Sequence, residues 1–363
     1  MAKKFIIAGG GTGGHIFPAI AIANALKKND EECEILFVGA KGKMEMEKVP
    51  QAGYPIRGLD IAGFNRSSLI KNIGLPFKLV KSFFQVRKIF NEFGPDAVIG
   101  VGGYSSFPVL RYAQANGIPT FIHESNSFAG KSNILLGKNA KRVFVATEGM
   151  DQFFPAERIV ITGNPIRPSI TEVASVSKEE ALAAFELRPG KTTLLVVGGS
   201  LGARTVNEAM AGGIDQLLAE GLQVIWQTGK ADEDRWKGFE KEGVWVGPFI
   251  IQMEKAYAAA DMVISRAGAM AIAELCVVKK PVLFVPFPFA AEDHQTVNAK
   301  DLVGKNAAMM VRDQEAKDKM ISAILELARD KNKQETFKNN IGRYAVTDAD
   351  DRIAAEIMKV LNS

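Results

Sequence analysis

The stretch Lys4-Phe5-Ile6-Ile7-Ala8-Gly9-Gly10-Gly11-Thr12-Gly13-Gly14-His15 sets the reading of the whole chain. A short, continuously apolar run passes through a G-x-G-x-x-G turn into helix-period sequence. Continuous rather than alternating apolarity is expected of a parallel strand covered on both faces. Glycine in the turn lets backbone approach a diphosphate, and the helix start beyond it offers unpaired N–H groups and a positive dipole end. The pattern returns about 190 residues later, where Thr193–Val197 runs into Gly198-Gly199-Ser200-Leu201-Gly202-Ala203-Arg204. Further strand candidates are Cys33–Val38, Ala97–Val101, Thr120–His123 and Arg142–Ala146 in the first half. Gln223–Gln227, Val244–Val246, Met262–Ser265 and Val282–Val285 follow in the second. Their alternation with helical segments predicts an α/β fold of two Rossmann-like, doubly wound domains facing each other across a cleft. The prolines of Gly163-Asn164-Pro165-Ile166-Arg167-Pro168 forbid regular structure and mark a linker. The expected domains are 1–163 and 164–346, with a final helix, about 347–363, that can pack back on the first.

Composition agrees with that architecture. A chain of 363 residues, 47% apolar and 24% charged, is long enough for two domains and their cores, which excludes a disordered chain or a disulfide scaffold. No apolar run reaches the ~18 residues that span a bilayer, and the apolar run after Lys3 and Lys4 is too short for a secretory leader. A cytoplasmic chain is expected. The two cysteines, Cys33 and Cys276, fall in apolar stretches and suit a reducing compartment. A net charge of +4 is too mild to argue for nucleic acid. No Cys/His spacing resembles a zinc site, and the D-x-D strings Asp232–Asp234 and Asp348–Asp350 read as solvated or capping residues.

Candidate chemistry gathers at the strand ends. A dinucleotide-binding fold wants an acid after the second strand to hold a ribose, and Ile35-Leu36-Phe37-Val38-Gly39-Ala40-Lys41 ends without one, which argues against a nicotinamide oxidoreductase. A third glycine turn, Gly100-Val101-Gly102-Gly103-Tyr104, follows another apolar strand. Of only three histidines, His15 opens the helix after the first glycine loop, where an imidazole suits general-base work near neutrality. A residue that only caps or packs is the competing reading on spacing alone. His123-Glu124-Ser125-Asn126 ends another strand, and a polar cluster there is costly to bury without partners. In the second half Ser265-Arg266-Ala267-Gly268-Ala269 leads into Met270-Ala271-Ile272-Ala273-Glu274, where a carboxylate can accept both hydroxyls of a ribose diol. Between Asp60 and Glu92 no acid occurs, while Arg66, Lys71, Lys78, Lys81, Arg87 and Lys88 do. There Leu79, Phe83, Val86 and Phe90 form one helical stripe and Phe77, Val80 and Phe84 a second. The second, flanked by Lys81 and Arg87, suits an anionic membrane surface; a broadly buried helix is the alternative.

Seven motifs in this order and spacing resemble the bacterial peptidoglycan N-acetylglucosaminyltransferases: Gly9–His15, Gly102–Tyr104, His123–Asn126, Gly163–Arg167, Gly198–Arg204, Arg266–Glu274 and His294-Gln295. The resemblance covers essentially the whole chain. It implies a GT-B fold that moves N-acetylglucosamine from UDP-N-acetylglucosamine to the 4-hydroxyl of the muramyl sugar of lipid I, giving lipid II, with inversion. It implies donor contacts from Thr12, Gly13, Gly14, Asn126, Arg167, Ser200, Ile250, Arg266, Gly268, the run Ala269, Met270, Ala271, Ile272, Ala273, Glu274, and Gln295. His15 or Glu124 is the base it implies, and Gly102, Gly103 and Tyr104 face the acceptor. No cofactor and no strict metal requirement are expected. Implied partners are UDP-N-acetylglucosamine, lipid I, the anionic cytoplasmic face of the inner membrane, on which the chain would sit peripherally, and other cell-wall enzymes. Ala271 stands where the family commonly carries Thr or Ser, which removes one hydroxyl contact to the donor. Another lipid glycosyltransferase of this fold, a UDP-N-acetylglucosamine epimerase-like enzyme, and a non-catalytic nucleotide-binding module are the remaining readings.

Overall fold

The computed structural model describes residues 2–63, 74–231, 233–290 and 293–362. Two parallel sheets form. The first contains β1 (Lys4–Ala8), β2 (Glu34–Ala40), β3 (Ile56–Leu59), β4 (Ala97–Gly100), β5 (Thr120–Glu124), β6 (Arg142–Val145) and β7 (Ile159–Ile161), in the order β3-β2-β1-β4-β5-β6-β7. The second contains β8 (Thr192–Val197), β9 (Leu222–Gln227), β10 (Val244–Gly247), β11 (Met262–Ser265), β12 (Val282–Phe284) and β13 (Met309–Met310), in the order β10-β9-β8-β11-β12-β13. In each sheet the winding reverses beside the first strand, between β1 and β4 and between β8 and β11. Open α/β sheets bind ligands at such reversals, outside the carboxyl ends of the strands. The glycine loops after β1 and β8 therefore lie where ligands are expected.

Both faces of the first sheet are covered, which is why its strands read as unbroken apolar runs. Phe5, Ile7 and Ile99 pack on one side with Ile22 and Leu26 of α1 (Gly13–Asn29). Ile6, Val98 and Ile122 pack on the other with Val86 and Phe90 of α3 (Leu75–Phe93); α2 (Glu45–Gln51) lies between the two helices in the chain. In the second sheet Leu194, Val196, Val224 and Trp226 pack with Met210, Ile214 and Leu217 of the helix Arg204–Ala219. The sequence missed β3, β7 and β13. β3 carries Arg57 and Gly58, β7 and β13 are only 3 and 2 residues long, and all three are edge strands with little apolar pattern to read.

The chain divides into unit 1, residues 1–167 with 348–363, and unit 2, residues 168–347. The division falls after Arg167 rather than at the 163/164 boundary expected from the prolines. Ile166 is buried, and Asn164 Nδ2 donates to the Ser125 carbonyl, so the segment stays tied to unit 1. The helix Ala349–Asn362 returns to unit 1, where Ile353, Ala354 and Ile357 join the core beneath α1.

On α3, Val86, Ile89 and Phe90 are buried while Phe77, Val80 and Phe84 are 81%, 57% and 68% exposed. Lys81 and Lys41 both pair with Asp60, and these ammonium groups hold its carboxyl below the usual carboxylate range. Arg66, Lys71 and Asp232 lie outside the described residues. Asp234 pairs with Lys237 and Asp348 with Arg352. Cys33 and Cys276 are buried free thiols, and burial pushes Cys276 up to about 12. Among the described residues no helix is long and apolar enough to cross a membrane.

Candidate functional site

In unit 1 the expected residues meet at the carboxyl ends of three adjacent strands, β1, β4 and β5. Thr12 is the N-cap of α1, but its side chain makes no capping bond; Oγ1 lies 3.5 Å from His15 Nδ1. His15 Nδ1 also lies 3.0 Å from the Gly10 carbonyl oxygen. A carbonyl can only accept, so Nδ1 carries the hydrogen and Nε2 keeps the lone pair. Gly102 makes room for that ring, since a Cβ there would sit 2.9 Å from Nε2. Tyr104 is half-buried, its hydroxyl has no hydrogen-bond partner, and burial raises its pKa.

His123 and Glu124 behave differently from His15. His123 is fully buried, neither ring nitrogen has a hydrogen bond of ordinary geometry, and burial pushes its pKa down to about 4. It is therefore a neutral core residue at pH 7. The Glu124 carboxylate, 4% exposed, accepts from the Asn126 backbone and side chain and from the Gly130 N–H and Asn133 Nδ2 at 2.8–3.1 Å. Four donors around two oxygens make Glu124 a knot that shapes the loop after β5, and Asn126 is part of that knot. Both oxygens of that carboxylate are thus already shared among N–H donors. Arg167 stacks its guanidinium 4.9 Å over the Phe17 ring at the first turns of α1.

In unit 2 the donor candidates follow β8, β10 and β11. Gly202 shapes the turn that contains Ser200: its φ is +86°, and a Cβ would lie 2.2 Å from the Thr228 carbonyl oxygen. The helix Ala269–Val278 starts at Gly268, which has no side chain to cap it, so its first N–H groups are available to an anion. Ala269, Met270, Ala271 and Ile272 form the first turn, and Ala273 and Glu274 begin the next. Glu274 is 7% exposed, and the Tyr257 hydroxyl donates to its Oε2 at 3.2 Å, so it is no solvated surface acid. Gln295 Oε1 accepts from the Ala267 and Phe287 N–H groups, which pins the turn and leaves Nε2 near Gly268.

Arg266 is tied into its own turn. Its guanidinium donates to the Val285 and Pro286 carbonyls and pairs with Asp313, the two side chains being 12% and 10% exposed. These bonds brace the turn, and the guanidinium also lines a pocket there. That pocket, of about 400 Å3, is lined by Arg266 and Asp313 together with Leu201, Trp236, Phe287 and Phe289.

Sequence reasoning missed three residues. Gln227, at the end of β9, accepts the Ile250 N–H at 2.9 Å and donates to the Gly199 carbonyl at 3.2 Å, joining the glycine loop to the Ile250 segment. Asp313 is the second. Glu45 is the third, a 1% exposed acid whose oxygens accept from the Gly11 and Ala40 N–H groups. Its only signal in the sequence is the missing side chain at Gly10 and Gly39, both of which it packs against.

Comparison with known proteins agrees with this layout. Residues 5–145 match the glycosyltransferase family 28 N-terminal domain and residues 193–353 the family's C-terminal domain. A relative from Parabacteroides distasonis is 50% identical over 99% of this chain and 98% of its own, and one from Cytophaga hutchinsonii is 48% identical over 99% and 97%. Both carry the name UDP-N-acetylglucosamine–N-acetylmuramyl-(pentapeptide) pyrophosphoryl-undecaprenol N-acetylglucosamine transferase. The crystal structure of Acinetobacter baumannii MurG is 29% identical with a TM-score of 0.76, covering 98% of this chain and 99% of that one. A Staphylococcus aureus MnaA–UDP structure, 17% identical with a TM-score of 0.71 over 99% and 97%, shares the fold alone.

Proposed function

The chain belongs to glycosyltransferase family 28, and from that premise we propose that it transfers N-acetylglucosamine from UDP-N-acetylglucosamine to lipid I, forming lipid II. The observation that carries the reading is the near-complete, roughly half-identical match to relatives that bear the name of this transfer. His15 is the general base in this reading. Its Nε2 lone pair takes the proton of the muramyl 4-hydroxyl as that oxygen attacks the anomeric carbon. The bond to UDP breaks in the same displacement, which inverts the sugar and needs no covalent intermediate. The charge that develops on the leaving diphosphate is met by Ser200, the N–H groups that start the helix at Gly268, and Arg167. Glu274 accepts the ribose hydroxyls, and the Ile250 segment lies against the uracil. Because the Ile250 N–H is already donated to Gln227, its carbonyl is the group left for the base edge.

The exposed Phe77, Val80 and Phe84, with Arg87 beside them, form a reversible contact with anionic membrane, where the lipid-linked acceptor resides. Lys81 contributes less charge than the sequence implies because Asp60 partly offsets it. Incubation with UDP-N-acetylglucosamine and a lipid I analogue should yield the disaccharide lipid and UDP in equal amounts. Free N-acetylmannosamine or epimerised donor without lipid product would point to an epimerase, and UDP binding without turnover to a binding module.

A further inference from the structure

We propose that Glu45 is a positioning residue for His15, acting through the single peptide group that joins Gly10 to Gly11. The N–H of that peptide donates to Glu45 Oε2 at 2.9 Å, and its carbonyl is the group that His15 Nδ1 meets at 3.0 Å. The second carboxylate oxygen accepts the Ala40 N–H at 3.0 Å, so the acid is held from both sides. An anion at one end of a peptide group draws its N–H outward and deepens the negative charge on its carbonyl oxygen, because hydrogen bonds in series polarise one another. The Gly10 carbonyl then binds an imidazole N–H more firmly than an unassisted carbonyl would. That fixes the ring's tautomer and its rotation and keeps the lone pair on Nε2. Glu45 is 1% exposed, so solvent and salt screen it little.

The packing is specific to this arrangement. Gly10 has φ +145°, and a Cβ there would lie 2.4 Å from the Glu45 carboxyl carbon; a Cβ at Gly39 would lie 2.5 Å from its Cγ. Two glycines thus leave the space the carboxylate fills. An acid that only closed the loop would need its N–H donors and nothing more, whereas here the far end of one donor peptide carries the His15 contact.

The inference rests on the reading of His15 as the base, and a double-mutant cycle tests it. Glu45→Gln keeps the shape and one acceptor but removes the charge and turns an N–H2 toward a donor. It should lower kcat ~10-fold, a part of the ~10²–10⁴-fold a general base supplies, with KM for the donor close to the parent's and the thermal midpoint lowered by the mismatched amide in both backgrounds alike. In a His15→Ala background the same substitution should cost nothing further. An equal loss in both backgrounds would reduce Glu45 to loop support and overturn the proposal. Nitrogen-15 NMR of histidine-labelled protein reads the coupling without catalysis, so it still decides if His15→Ala leaves kcat intact and the base reading falls. His15 should carry its hydrogen on Nδ1 in the parent and lose that preference in Glu45→Gln. An Nε2–H tautomer in the parent, which needs no variant to fold, would overturn the proposal.

Discussion

The two glycine loops begin alike and end with opposite equipment. After β1, the Gly11 N–H is already donated to a buried carboxylate and the Gly10 carbonyl already meets an imidazole, so the central peptide of the loop is engaged at both ends. After β8, the Gly199 carbonyl is held by the Gln227 amide and the Ser200 carbonyl by the Lys230 N–H. Among the described residues no carboxylate accepts from Gly198–Gly202. A buried carboxylate thus stands behind the first loop and a neutral amide behind the second. Under the proposed function, glycine-rich turns of one kind thus serve proton transfer in the first unit and diphosphate binding in the second, and the groups packed behind each turn make the difference. A glycine pattern read alone would have assigned both to phosphate.

The sharpest break of this contrast is His15→Ala. It should lower kcat ~10²–10⁴-fold on a lipid I analogue while UDP affinity by calorimetry stays at the parent value. A loss below tenfold, with chemistry shown to limit the rate, would move the base to Glu124. Asp313→Ala comes next and probes whether Arg266 braces or binds. Leaving that guanidinium inside without its partner should destabilise the protein by ~3–5 kcal/mol in urea unfolding. Stability like the parent's together with weakened UDP binding would return Arg266 to the donor site. Glu274→Ala should weaken UDP binding by ~1.5–3 kcal/mol, the worth of hydrogen bonds to a charged group, without changing the tautomer of His15. Unchanged affinity removes Glu274 from the nucleotide end. The smallest effect is expected at Thr12, whose side chain caps nothing. Thr12→Ala should shift stability by no more than about 0.5 kcal/mol instead of the ~1 typical of an N-cap, so any sizeable rise in donor KM would report a direct contact.

The strand–helix alternation and the strand-end positions of His15, Ser200 and Glu274 were legible because each follows a continuous apolar run with a glycine turn at its end. Glu45 was not. It lies in Lys41-Gly42-Lys43-Met44-Glu45-Met46-Glu47-Lys48, a charged stretch that reads as solvated, and nothing local separates the buried Glu45 from the exposed Glu47. What buries it is space left by two glycines elsewhere, a tertiary fact. The bracing of Arg266 was hidden for a related reason. Its partner Asp313 stands 47 residues away in the chain, and no spacing rule links them. Gln227 looked like the polar last residue of a strand, when its amide is the clasp between two loops.

The return of the helix Ala349–Asn362 to unit 1 makes unit 2 an insertion within unit 1. Ile353, Ala354 and Ile357 are fully buried against α1, so the core of unit 1 stays open on that side until residues far downstream arrive. During synthesis every residue of unit 2 leaves the ribosome before that strip does. Unit 2 can close on local sequence while unit 1 waits with an apolar face uncovered, a window in which a chaperone or another nascent chain can compete for it. Limited proteolysis of a chain ending at residue 347 should cut unit 1 readily and spare unit 2, whereas equal protection of both would mean that α1 needs no cover to hold its fold.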